Sequence, residues 1–241
     1  MTTLVLLLAV LLGVGAGVLN TITGFGGGLL LTLVLAPLLG PSSALVVAAP
    51  ALAVGHLHRA LGYREHIDRK VARRFALGAM PGAIVGSLLA ASVPESVLAL
   101  ALLLSTSLAV AQAFGWIPST LGHRALVPGA AGVGFLAGSC GGGGVLLPPT
   151  LMSAGLAGRS FVATAATGAL AVQLVRMSTY ASAGMITLGH VPQMIAVALG
   201  LIVGNRLGRP LAQRIDDAQM ARYTRYTLAV AIVLGVVGLF A

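Results

Sequence analysis

Apolar residues run almost unbroken through this chain, and polar residues come in short bursts between them. From Met1 to Gly55 there is no Asp, Glu, Lys, Arg or His. Runs of about 20 apolar residues mark membrane-crossing helices, and the pattern predicts them near 43–60, 75–92, 96–115, 160–182, 190–208 and 222–241. Two longer tracts remain, 3–39 and 125–157, and glycine interrupts both. The first holds Gly24-Phe25-Gly26-Gly27-Gly28 and the second Gly141-Gly142-Gly143-Gly144. Broken backbone is costly in hydrocarbon, where free N–H and C=O groups find no water. Apolar segments interrupted at corresponding positions of two halves are a pointer to a transporter's binding site.

The halves repeat. Ala51-Leu52-Ala53-Val54 recurs as Ala169-Leu170-Ala171-Val172, and at the same offset Gly82 and Gly86 recur as Gly200 and Gly204. The glycine clusters align as well, Gly26-Gly27-Gly28 against Gly142-Gly143-Gly144. The expected organisation is a first membrane repeat over 1–118 and a second over 119–241, together one transport domain. No linker or low-complexity stretch sets off a soluble domain.

Composition narrows the class. The 241 residues are 58% hydrophobic and 8% charged, which a soluble core cannot absorb. The net charge of +9 does not point to nucleic acid, because the basic residues fall in short loops between apolar spans. The apolar amino terminus lacks the basic flank of a signal peptide and is read as part of the first tract. Thirty-three glycines suit close helix–helix contact in lipid. Cys140 is the single cysteine, so an internal disulfide and a CxxC metal or redox pair are excluded.

Charge also fixes an expected topology. Arg59, Arg64, Arg69, Lys70, Arg73 and Arg74 crowd one loop, and Arg206, Arg209, Arg214, Arg222 and Arg225 another. Eight plain crossings would put these clusters on opposite faces, against the positive-inside bias. If each glycine-broken tract instead enters and leaves on one side, both clusters lie inside, and Arg124 and Arg159 join them. The loops near 40–43, 92–95 and 183–189 then lie outside and hold no Lys or Arg. The fold class expected is an all-α polytopic membrane protein. It has two inverted repeats, each a Gly-broken hairpin or discontinuous helix plus three transmembrane helices.

The site chemistry follows from the breaks. A helix is expected to begin after each cluster, at Leu29 and at Val145. A helix start carries N–H groups without intrahelical partners and about half a positive charge. Two starts facing each other would bind an anion mostly through backbone donors. Gly24, Gly26, Gly27, Gly28, Gly141, Gly142, Gly143 and Gly144 are the backbone candidates. Asn20, Thr23, Ser139, Cys140, Thr167 and Gln173 are polar groups near the breaks. Arg176 is the only strongly basic residue well inside a predicted span rather than at its end, where a charge marks a pathway or a substrate partner. His56 and His58 are candidates for the inner mouth. The five acids, Glu65, Asp68, Glu95, Asp216 and Asp217, all sit in loops or at span ends, so the acidic relays of proton-coupled pumps are missing. No cofactor and no metal site is expected.

At GFGGGLLL (24–31), GGGGVLLPP (141–149), the small-residue helix after each, and PGAIVG (81–86) with its echo GLIVG (200–204), the chain resembles the TauE/SafE family of sulfite exporters. The resemblance covers nearly the whole chain in two copies. It implies a multi-pass protein of the bacterial inner membrane that moves small sulfur-containing or carboxylate anions, most simply by export. The expected partners are a small anionic substrate and the lipid bilayer, with room for a homo-oligomer. A passive anion channel and a membrane assembly protein without substrate are the alternatives. An intramembrane enzyme is disfavoured, since HExxH and a nucleophile with a placed base are lacking.

Cysteines introduced as Ser42→Cys and Ile186→Cys are expected to react with an impermeant thiol reagent from outside. Lys70→Cys and Asp216→Cys should react only after permeabilisation. External labelling at 216 contradicts the inverted arrangement.

Overall fold

The computed structural model describes residues 3–23, 27–116 and 125–212, together with Arg214, Gln219, Arg222 and Tyr226. The described residues form nine α-helices and no strand: α1 (Thr3–Thr23), α2 (Gly27–Leu39), α3 (Pro41–Gly62), α4 (Arg69–Ser92), α5 (Glu95–Ala113), α6 (Leu126–Cys140), α7 (Leu147–Met152), α8 (Gly158–Ser182) and α9 (Val191–Ala212). Six of them, α1, α3, α4, α5, α8 and α9, are long and apolar enough to cross a membrane. Five of the expected spans therefore appear, each within a few residues of its predicted limits. The sixth, 222–241, lies outside the described residues, as do Gly24, Phe25, Gly26, Arg124, Asp216, Asp217 and Arg225.

Local chemistry explains the helix starts. Asp68 caps α4, its carboxylate accepting from the N–H groups of Lys70 and Val71 at 2.9 Å each. Gly40, with φ +84°, turns the chain between α2 and α3, and Pro41 opens α3 where its missing N–H costs nothing. Each glycine-broken tract folds back on itself. In the first, the long arm is α1, 21 residues and so about 32 Å, and the return is α2. In the second, α6 has 15 residues, about 22 Å, which falls short of a hydrocarbon core of about 30 Å.

The helix pairs that carry the scaffold meet through glycine. A Cβ on Gly78, Gly82 or Gly86 of α4 would lie 2.1–2.2 Å from the carbonyl oxygens of Val127, Ala131 and Phe135 in α6. In return, Gly134 and Gly138 of α6 press on the carbonyls of Ala79 and Ala83. The same device joins α1 to α9: Gly200 and Gly204 face the carbonyls of Val10 and Val14, and Gly13 and Gly17 face those of Val197 and Leu201. Side chains there would part the backbones, so small residues set the approach. In both pairs residue numbers rise together, so α1 runs parallel to α9 and α4 parallel to α6. The repeated pair Gly82/Gly86 and Gly200/Gly204 thus does the same work in each half, seating the first helix of the other half.

Hydrogen bonds mark two ends. Ser42 Oγ donates to Glu95 Oε1 at 2.6 Å, and His190 Nε2 lies 3.3 Å from Ser43 Oγ. These contacts bring three loops without Lys or Arg together at one end. At the other end the N–H of Asp68 donates to Thr164 Oγ1 at 3.0 Å, so the basic loop after α3 meets the start of α8. By the glycine registers, the first tract starts and finishes toward the first of these ends, the second tract toward the other.

Gly15 and Gly17 provide a control within one helix. A Cβ at Gly15 meets nothing within 4 Å, whereas at Gly17 it would lie 2.5 Å from the Leu201 carbonyl oxygen and 2.9 Å from the Asn205 nitrogen. Gly17→Ala is expected to cost about 1–3 kcal/mol as an overpacked contact. Gly15→Ala should be neutral or mildly stabilising. Thermal melting in detergent compares the two, and equal melting temperatures would dismiss the α1–α9 contact as the determinant.

Candidate functional site

The two breaks meet. A Cβ on Gly28 would lie 3.6 Å from the carbonyl oxygen of Gly141, and one on Gly141 would lie 2.7 Å from Thr32 Oγ1 in α2. Beside this meeting point is a cavity of about 50 Å³, room for a few waters. Val133 and Ala137 of α6 and Val162, Ala165, Ala166, Ala169 and Val172 of α8 form its apolar wall, with Leu147. Its polar lining comes from Asn20, Gly27, Gly28, His56, Arg59, Gly141, Gly143, Gly144 and Gln173. No Asp or Glu is among these lining residues.

Each polar group is held by local structure. Gly27 and Gly28 open α2, so their N–H groups are among those a helix start leaves without intrahelical partners. Asn20 lies under Gly27, and a Cβ there would come within 2.6 Å of the Asn20 side chain. Arg59 donates from Nη1 to the Asn20 carbonyl at 3.5 Å, and its Nη2 lies 3.0 Å from His56 Nδ1. Guanidinium has no acceptor, so Nδ1 must accept and the ring hydrogen sits on Nε2. Gln173, on α8, accepts on Oε1 from Arg176 Nη1 at 2.7 Å.

The expected second helix start, at Val145, appears two residues later as the short helix α7. Gly141 takes a left-handed conformation, φ +75°, and Gly142–Gly144 form a single 3₁₀ turn. The helix that follows, α7, has only six residues, and its second and third are Pro148 and Pro149, which carry no N–H. The second break therefore offers a tight turn, not a half-helix with a row of free amides. Its glycines serve closeness: a Cβ on Gly142 would meet Ser105 Cβ at 2.7 Å, and one on Gly143 the Val133 carbonyl oxygen at 2.6 Å.

Of the residues singled out in the sequence, Asn20, Gly27, Gly28, Gly141, Gly143, Gly144 and Gln173 come together at the cavity. Gly142 turns to α5 instead. Ser139, Cys140 and Thr167 bond back to the carbonyls of Phe135, Leu136 and Ala163 in their own helices and do not line the space. Thr23 ends α1. Gly24 and Gly26 lie outside the described residues. Arg176 is only 1% exposed and stands behind Gln173, not at the cavity surface. His58 is exposed, while His56, three residues before Arg59, reaches the cavity. Sequence reasoning set Arg59 in a basic loop. Arg59 lies one turn of α3 beyond His56, inside the predicted span 43–60, and that position within the span is the signal that finds it.

Comparison with known proteins then bears on this arrangement. The model of the family described as Sulfite exporter TauE/SafE matches residues 9–240 of the chain. No curated protein and no solved structure matches it.

Proposed function

The chain belongs to the TauE/SafE sulfite exporter family, and from that premise we propose that it exports small sulfur oxyanions, sulfite foremost, through the cavity where its two broken tracts meet. It is a multi-pass membrane protein, and the reading sets it in a bacterial inner membrane with the Arg59–Arg74 loop facing the cytoplasm. The two tracts are inverted hairpins of two repeats, 1–118 and 119–241. The parallel pairings of α1 with α9 and α4 with α6 support this, because they turn the two hairpins toward opposite ends. One observation carries the functional reading. The cavity is lined by Arg59 and by Gly27 and Gly28 at the start of α2, and no Asp or Glu is among its described lining residues.

The anion is held between the N–H groups of Gly27 and Gly28 and the guanidinium of Arg59. Charge-assisted hydrogen bonds of this kind are roughly twice as strong as neutral ones, and the fork of Arg suits the oxygens of an oxyanion. The start of α2 carries most of this role, because the second helix start is short and holds two prolines, and Arg59 adds the charge. The driving force needs no coupling group. An inside-negative potential favours the exit of an anion by about 2.3 kcal/mol per charge per 100 mV.

Purified protein is expected to melt at a higher temperature with sulfite than with equal concentrations of neutral or cationic solutes. Arg59→Gln should weaken that effect at least tenfold, because a hydrogen bond to a charged group contributes about 1.5–3 kcal/mol. Sulfite flux in proteoliposomes should follow the imposed voltage. A flat panel across sulfite, sulfate, thiosulfate, sulfonates and small carboxylates would remove the anion site. Sustained unitary currents would replace the carrier by a channel.

A further inference from the structure

We propose that Arg176 is a positioning residue, one that locks the side chain of Gln173 with its amide N–H groups turned toward the transported anion. The proposal rests on the anion-transport reading above and adds a specificity element to it. Gln173 lines the cavity and Arg176 does not. A glutamine amide has one donor end and one acceptor end, and nothing in the residue itself decides which end faces a ligand. Here the decision comes from behind. Arg176 Nη1 donates to Gln173 Oε1 at 2.7 Å, and because guanidinium carries only donors, the oxygen end must point to it. The nitrogen end is what Gln173 has left to offer the cavity.

The arginine is itself held in place. Its Nε and Nη2 both reach the hydroxyl of Tyr180 at 3.4 Å, and its guanidinium carbon lies 5.5 Å from the Tyr180 ring centre. The Tyr180 hydroxyl donates in turn to the carbonyl of Gly138, in the last turn of α6 before the second glycine break. The relay thus runs from the break through Tyr180 and Arg176 to Gln173 and ends at the cavity. A cation is expensive at this depth, and one with no acid beside it needs a use. Its placement three residues after a lining side chain matches Arg59, which fixes the His56 ring in the same way. The two differ in one respect: Arg59 reaches the cavity, and Arg176 acts only through its neighbour.

A double-mutant cycle on sulfite affinity tests this, read by thermal shift and by proteoliposome efflux. Gln173→Leu and Arg176→Met are each expected to weaken binding by about three- to tenfold, the value of one hydrogen bond. The double variant should bind no worse than Gln173→Leu alone, since the arginine then has nothing to orient. Losses that multiply would overturn the relay and make Arg176 a direct electrostatic partner of the anion. If Arg176→Met fails to fold, the cycle runs with Arg176→Lys, which keeps the buried charge, and the same non-additivity is required. Gln173→Glu should keep or raise the melting temperature through pairing with Arg176, yet lose sulfite binding. Retained binding in that variant also overturns the proposal. Wild-type protein that binds no anion at all would instead remove the transport reading, and the relay with it.

Discussion

A backbone break inside a membrane survives only where protein surrounds it. Each peptide N–H or C=O left without a partner in hydrocarbon costs several kcal/mol. The rest of this structure follows from meeting that condition twice. The glycines that follow the first break, Gly27 and Gly28, are tucked between Asn20 below, Leu52 of α3 beside and Gly141 of the second break across. The second is pressed onto α6 through Gly143, onto α5 through Gly142 and onto α2 through Gly141. Each interruption is therefore part of the other's wall. Gly27, Gly141, Gly142 and Gly143 are buried, and the small space beside them is the cavity.

Such mutual burial demands that the surrounding helices come close, and glycine serves that end in two different ways. Along α4, α6, α1 and α9 it acts within helices, removing side chains so that backbone carbonyls of neighbours can approach. Small alanines and a few larger side chains such as Phe75, Val133, Val197 and Leu201 fill the rest of these contacts. At Gly141 glycine acts on the chain path itself, since φ +75° ends α6 abruptly and starts the turn. Loss of the first kind would loosen the frame, and loss of the second would misdirect the chain at the site.

The sequence shows these two roles unequally. Span positions were legible because twenty apolar residues in a row leave little choice of structure, and α3, α4, α5, α8 and α9 fall where the runs predict them. The doubled glycine clusters were legible as breaks, and the loops free of Lys and Arg do gather at one end. What lay beyond reach was how each break is built. The same glycine-rich text yields a helix start at Gly27 and a 3₁₀ turn at Gly142, and the difference lies downstream, in Pro148 and Pro149. Arg59 was hidden for another reason. Its neighbours Arg64 to Arg74 belong to an interfacial loop, and only its place within the span 43–60 separates it from them. Arg176 was conspicuous as a charge in a span, but its direction could not be read, because which face of α8 meets the cavity depends on packing with α3 and α4.

The balance of charge at the site gives the last step. Arg59 lines the cavity and Arg176 does not, and no Asp or Glu is among the described lining residues. A cation held in a low dielectric carries a desolvation cost. On the function proposed above, an anion entering between the amides of α2 and Arg59 would offset part of that cost. In the proposed reading the attraction rests on one direct guanidinium and a few neutral donors, which keeps it weak enough for a voltage of ordinary size to carry the anion out again.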